Sequence, residues 1–237
     1  MTTDPRTASH PLVRRAVAVL AVANARHPWN HNEHFHPWVL RRVPRGARAV
    51  LDVGCGAGVL LGRLLGRLGD TASAVDGIDA DPRMVAAARS RLGDDPRVTV
   101  RQLAFEDLPA DGRYDAVTMV AVLHHLDHHL GLGDALAHAR DLLAPGGRLL
   151  VVGLARVDSP LDVAVDVVSA LLNPLVGLVK HPRRARPGDL GPDAPGMPVR
   201  DPVLSVAEVA RAARAVLPGV RVRRRLFFRY TLEWTRR

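Results

Sequence analysis

Hydrophobic and polar positions along the chain follow two rhythms. A short apolar run from Arg48 to Val53, closed by glycine, reads as a buried strand. Leu60, Leu61, Leu64, Leu65 and Leu68 then recur at helical spacing. A second strand reads Ala74 to Ile78 and ends at Asp79, and Pro82 opens a helix that runs to about Leu92, one position inside its start, where a missing N–H costs nothing. Arg97 to Leu103 alternates as a third strand, and Tyr114 to Val120 makes a fourth. A helix over Leu126 to Leu143 follows, stopped by Pro145-Gly146-Gly147, and Leu149 to Leu154 is the fifth strand. Strands alternating with helices at this spacing predict βαβ units around a mostly parallel sheet, with the loops that leave the strand C-termini gathered on one edge.

The flanks differ. An N-terminal helix starts near His10, with Leu12, Ala16, Val19, Leu20 and Ala23 on one face. Arg14, Arg15 and the small-x-small triplet Ala23-Asn24-Ala25 imitate a signal peptide there, and a packed helix is the preferred reading. Pro160 to Val179 is a long apolar helical pattern carrying Asp162, Asp166 and Asn173, which Asn173-Pro174 is expected to kink or split. His181 to Pro202 holds six prolines and three glycines and reads as an extended loop. Ser205 caps a further helix with Glu208 at the capping-box position. Val220 to Thr235 alternates throughout, which predicts one long strand with Leu226, Phe228, Tyr230, Leu232 and Trp234 on one face.

Composition narrows the classes. The 237 residues are 47% hydrophobic and 24% charged, which excludes disordered, collagenous and coiled-coil chains. One cysteine, Cys55, leaves no internal disulfide framework and is compatible with a reducing compartment. No uninterrupted apolar stretch reaches the roughly 18–20 residues that cross a bilayer. The net charge of +9 first suggests a polyanionic partner. Its distribution argues otherwise: residues 1–46 carry +5 and 205–237 carry +7, while 47–155 carry 11 basic and 14 acidic groups, a net of −3. The region with the most sequence order is mildly acidic.

The motif at its centre is Asp52-Val53-Gly54-Cys55-Gly56-Ala57-Gly58, a strand, a glycine-rich turn and a helix start in one unit. Glycine there lets a ligand approach the backbone closely. The dinucleotide fingerprint fails because Val59 stands at its third glycine, and no Lys-Ser or Lys-Thr follows as a phosphate-binding loop requires. The Gly-x-Gly-x-Gly spacing, with an aspartate two residues before it, resembles motif I of the class I S-adenosylmethionine-dependent methyltransferases. Further stretches resemble the family in order: Val75 to Pro82, Ala104 to Pro109, Tyr114 to Val117 with Val122 to Leu126, and Leu142 to Gly147. Together they span roughly Arg48 to Leu154.

The resemblance implies a Rossmann-like α/β fold: a mostly parallel seven-stranded sheet with an antiparallel C-terminal strand and helices on both faces. It implies a domain over 47–237, with 156–204 as a helical and Pro-rich insertion and 1–46 as an N-terminal helical cap. It implies S-adenosyl-L-methionine as cofactor, held by Asp52, Gly54, Cys55, Gly56, Gly58, Asp79, Ala80, Phe105, Glu106 and Val120. In this pattern Asp79 accepts from the ribose hydroxyls, and Asp52 holds the loop and the amino-acid end. Many relatives have an aspartate where this chain has Ala104, so Phe105, through its backbone, and Glu106 become the adenine neighbours.

Methyl transfer from a sulfonium is an in-line displacement that alignment accelerates, and a single base suffices to take the acceptor's proton. His124 and His125, leaving strand four, are the candidates, because a histidine pKa suits that task. Asp127, His128 and His129 follow; pairs at i and i+4 offer a metal face but no third ligand at motif spacing, so no metal is expected. A second polar-aromatic cluster, Trp29 to His36, either lines the active site or forms a polar loop with buried aromatics. The apolar insertion suggests a hydrophobic small-molecule acceptor or a helix packed on the domain. Lacking a basic polar face, it is not read as a membrane-surface helix. The whole reads as a cytoplasmic small-molecule methyltransferase, with no nucleic-acid or membrane partner. The alternatives are an RNA-directed methyltransferase and a cofactor-binding module without turnover. No Asn-Pro-Pro-aromatic motif is present.

Overall fold

The computed structural model describes residues 11–183 and 201–237, and the side chains of all of these except 11–18, His128 and His129. Among them the helices are α1 Pro11–Arg26, α2 His31–His34, α3 His36–Arg42, α4 Val59–Leu68, α5 Pro82–Leu92, α6 Leu123–Leu130, α7 Leu132–Asp141, α8 Pro160–Lys180 and α9 Val206–Val216. The strands are β1 Ala49–Val53, β2 Ala74–Asp79, β3 Val98–Gln102, β4 Tyr114–Val120, β5 Leu143–Gly153, β6 Arg221–Arg225 and β7 Arg229–Thr235. The chain divides into two compact units. The larger comprises Asn32–Ala155, Asp201–Arg224 and Arg229–Arg237. The smaller draws its described residues from 11–31, 156–183 and 225–228.

The larger unit is a seven-stranded sheet in the order β3-β2-β1-β4-β5-β7-β6. β3, β2, β1, β4 and β5 run parallel, and β7 is antiparallel to β5. Successive side chains of a strand point to opposite faces, and two cores record it. Leu51, Val53, Val117, Met119, Leu149 and Val151 join one cluster, completed by α6, α7 and α9. Val50, Ala116, Leu150 and Val152 join the other, completed by α3, α4 and α5. Both faces of the sheet are therefore covered, as a parallel sheet requires.

Local chemistry sets the element ends. Asp81 caps α5 by accepting from the Arg83 amide, with Pro82 at the first helical position. Ser205 and Glu208 close a reciprocal capping box at α9. Four expectations need correction. The helix expected over 126–143 is two, α6 and α7, broken at Gly131, whose φ of +79° no continuing helix accepts. The first of them also begins earlier, at Leu123, so His124 and His125 sit in its first turn. The strand expected over 220–235 is a hairpin, because Phe227 and Phe228 take φ of +59° and +61° between β6 and β7. And α8 runs unbroken through Pro174. Of the Pro- and Gly-rich stretch, residues 184–200 lie outside the described residues.

The smaller unit pairs α1 with α8. α1 passes without a break through Ala23-Asn24-Ala25. A Cβ at Gly177 would collide with the carbonyl oxygen of His27, so glycine permits the close approach. Trp29 is buried, donates from Nε1 to the Asn173 carbonyl at 3.1 Å, and meets the rings of His31 and Phe227 edge-on. His31 Nε2 lies 2.8 Å from Asn173 Oδ1, and the Phe227 amide donates to Ser169 Oγ at 2.8 Å.

Candidate active site

The parallel strands end in register. Val53 stands opposite Ile78 and Met119, and Asp79 opposite Gln102, so the loops leaving β1, β2, β3 and β4 share one sheet edge. Backbone bonds knit them: the Cys55 amide donates to Ile78 O at 3.0 Å, and the Leu103 amide to Asp79 O at 3.1 Å.

The glycine turn needs its glycines for two separate reasons. Gly54, Gly56 and Gly58 have φ of +66°, +52° and +74°, a region that L side chains avoid. Space decides Gly54 as well: a Cβ there would stand 2.5 Å from Val122 Cγ2. Gly56 differs, since a Cβ would meet nothing within 4 Å and its backbone borders open space. Asp79 stabilises the turn from β2. Its Oδ2 accepts from the Gly56 amide and its Oδ1 from the Asp81 amide, each at 2.9 Å. A carboxylate offers about four lone-pair positions, so both oxygens retain capacity toward solvent, and the residue is only half-buried.

Asp52 lies deeper, 3% exposed. The register places Thr118 of β4 opposite it, and Thr118 Oγ1 donates to Asp52 Oδ1 at 2.6 Å. Burial pushes the Asp52 carboxyl up to about 7; the Thr118 bond opposes the rise and nearby Asp79 adds to it. Burial, with Asp52 and Asp79 adding, also pushes the Cys55 thiol up, so the buried sulfur keeps its proton and is no nucleophile.

The other predicted site residues fall around this edge. Ala80 is exposed directly after Asp79. Phe105 turns its ring into the core against His138, centroids 4.7 Å apart, leaving its backbone at the edge, and Glu106 beside it is exposed. Val120 ends β4 half-buried. Ala121 follows with φ of +58°, a strained conformation for a residue with a Cβ, and its amide is anchored to Val152 O at 2.7 Å. That strain turns the chain into α6, where His124 and His125 are half-buried with ring centroids 4.1 Å apart. His124 lines a crevice with Asp127 and Tyr230 of about 10 Å³, room for one water and no acceptor.

Thr118 and Ala121 escape a reading of sequence alone. A hydroxyl in the otherwise apolar centre of Tyr114–Val120 is the signal for the first. Nothing in its neighbours marks the second. The Trp29–His36 cluster divides. Phe35 and Trp38 are buried in the larger unit's core, Glu33 bridges Arg63 at 2.6 Å, His36 accepts from Arg63 at 2.9 Å, and Asn32 accepts from Arg229. His31 and Trp29, with Asn24, Ala25, Pro28 and Asn173, line a cavity of about 250 Å³ in the smaller unit. Among the described residues no three His, Cys, Asp or Glu side chains converge as metal ligands.

Comparison with known proteins places this geometry. A family described as methyltransferase domain matches residues 50–147, the stretch that builds the sheet edge. An uncharacterized methyltransferase of Mycobacterium tuberculosis is 30% identical over 218 residues, 87% of this chain and 96% of that protein. The chain belongs to the class I S-adenosylmethionine-dependent methyltransferases. A ubiquinone biosynthesis O-methyltransferase of Xylella fastidiosa is 37% identical over 131 residues, which cover 54% of this methyltransferase and 50% of that enzyme. Among solved structures, a SAM-dependent methyltransferase of Aquifex aeolicus superposes with a TM-score of 0.54 at 20% identity, over 92% of this chain and 97% of its own; this likeness concerns the fold alone. The methyltransferase uses S-adenosylmethionine, and the sheet edge fits it: an open glycine backbone at Gly56 beside a carboxylate with accepting capacity at Asp79.

Proposed function

We propose that this enzyme methylates a small-molecule acceptor with an apolar body, in the cytoplasm. Bound S-adenosylmethionine supplies an electrophilic methyl group on sulfur. The observation that carries the acceptor class is charge: residues 47–155, which form the site, carry a net −3, the wrong sign for gripping a polyanion. The O-methyltransferase relative, named for ubiquinone biosynthesis, supports the same class. The single free thiol of Cys55 fits a reducing compartment.

Each residue then has a part. Asp79 accepts from the ribose hydroxyls with the oxygen capacity that the Gly56 and Asp81 amides leave. Gly54, Gly56 and Gly58 let the cofactor lie on bare backbone, packed against Cys55. Asp52 faces the amino-acid end; a cationic ammonium brought to it would draw off the proton that burial holds there. Ala80, the Phe105 backbone, Glu106 and Val120 border the nucleoside. Of the two histidines, His125 is the better base, since the crevice that His124 lines, about 10 Å³, has no room for an acceptor.

Two measurements test this. Asp79→Ala should weaken S-adenosylhomocysteine binding by roughly 1.5–3 kcal/mol, the scale for hydrogen bonds to a charged group; calorimetry returning wild-type affinity removes Asp79 from the site. Labelled methyl should pass from the cofactor into a metabolite extract and not into RNA. Label in RNA, with filter binding that falls steeply with salt, would establish the RNA-directed alternative. Label in neither, with the cofactor still bound, would leave a binding module without turnover.

A further inference from the structure

α8 is built inside out. Its buried residues are Asp162, Ser169, Asn173 and Gly177, a stripe at helical spacing, and none is a large apolar side chain. The opposite face is aliphatic and exposed: Leu161, Val168, Leu171, Leu175, Leu178 and Val179, with Leu171 57% and Val179 82% exposed. Protein groups hold the polar stripe, through His31 on Asn173 and the Phe227 amide on Ser169. Val19 and Val22 of α1, its partner in the smaller unit, are exposed as well. A helix in water normally shows the reverse.

We infer that the exposed face of α8 seats this enzyme on an anionic phospholipid surface, the helix lying in the plane of the interface. Three observations select lipid over a protein partner. The helix is 21 residues long, and an 18-residue window of it has a mean hydropathy of 1.7, in the range of bilayer-crossing segments, so its aliphatic face matches acyl chains in kind. The face consists of Leu and Val, with none of the Trp, Tyr or Arg anchors that carry protein interfaces. And charge is sorted along it: Asp162 is buried and Asp166 half-buried in its first half, while Lys180, whose ammonium also lies 4.7 Å from the Trp29 ring, and Arg183 stand exposed at the C-terminal end. Cations at one end of an apolar face suit anionic headgroups. The expectation against a membrane surface looked for cations on the helix's own polar face. That face is occupied by protein, and the cations stand at the helix end instead, Lys180 in its last turn and Arg183 beyond it. In-plane seating follows because the polar stripe stays with α1, Trp29 and His31, whereas crossing would carry those groups into hydrocarbon.

The inference is independent of the acceptor reading, and its test uses no methyl acceptor. The full chain is mixed with phosphatidylcholine vesicles, with or without phosphatidylglycerol, and sedimented. Binding is expected to the anionic vesicles and to weaken with salt. The triple variant Leu171→Asn, Leu175→Asn, Leu178→Asn should lose about tenfold or more of that binding. Lys180→Gln and Arg183→Gln should each lose about fivefold. S-adenosylhomocysteine affinity is expected to stay at the wild-type level in all of them, which reports an intact fold. Should the triple variant misfold, Leu175→Trp decides instead: its fluorescence should be quenched by brominated lipid. A chain that stays in the supernatant with both vesicle types overturns the inference. So does a wild-type dimer in sedimentation equilibrium that the triple variant turns to monomer, for then a second copy covers the face.

Discussion

The two units of this methyltransferase spend the same residue types in opposite ways. In α4 of the larger unit, Leu60, Leu61, Leu64 and Leu68 are buried and the polar residues face out. In α8 of the smaller one, leucine and valine face out, and Asp162, Ser169 and Asn173 are inside. Both helices are periodic and apolar. Periodicity therefore reveals that a helix has two faces, while the partner decides which face is covered: a sheet of Val, Leu and Ala takes up leucine, and a wall of Trp29, His31 and backbone amides takes up hydrogen-bonding groups.

Mutation can break or sharpen that contrast. Leu64→Ala should cost about 2–5 kcal/mol, the range for a cavity left in a close-packed core, and Leu64 is 0% exposed. Denaturant unfolding would measure it, and a cost near zero would mean that α4 is not packed as described. Asp52 gives the next effect. Its carboxyl sits at about 7 in the folded chain against an ordinary 3.8, so the folded state holds a proton that the unfolded chain releases. Its contribution to stability is complete at low pH and fades as pH rises from about 4 through about 7, by about 4 kcal/mol over the whole window. Asp52→Asn should flatten the slope of stability against pH in that window, measured by unfolding at a series of pH values. An unchanged slope places the titration elsewhere.

The smaller unit should respond in the opposite sense. Asn173→Ala removes the bond to His31 and should cost about 1 kcal/mol. Leu171→Ala, on the exposed face of the same helix, should stay within about 0.5 kcal/mol. A larger loss at Leu171 than at Asn173 would reverse the stated polarity of α8. Thermal melts of the pair, taken against Leu64→Ala, place all three on one scale.

Much of the fold was legible because its signals are local. Pro82 and Asp81 mark the start of α5, Ser205 and Glu208 mark α9, and the apolar runs of β1, β2 and β4 end where the structure ends them. The glycine turn and Asp79 were legible as a unit, since motif spacing reflects a loop that one carboxylate holds. The misreadings concern backbone turns, which hydrophobic period and alternation do not mark. Phe227 and Phe228 adopt positive φ although the hairpin turn contains neither glycine nor asparagine, so alternation seemed to continue. Gly131 was present as a stop signal, and the apolar period on both sides of it masked the break. Thr118 was hidden for another reason: its role depends on which strand lies beside Asp52, and strand order is settled by the whole sheet.

The two amide bonds on Asp79 reach further than the ribose. They hold the Gly56 and Asp81 backbones in place before any ligand arrives, so arrival need not order the turn and incurs little of the entropy loss that ordering entails. Cofactor capture in this enzyme should then proceed as docking onto a finished surface. Stopped-flow association would be a single phase, linear in cofactor concentration, with no slow step that saturates. An Asp79 variant would add that step, because the same carboxylate is both the ligand's contact and the turn's scaffold.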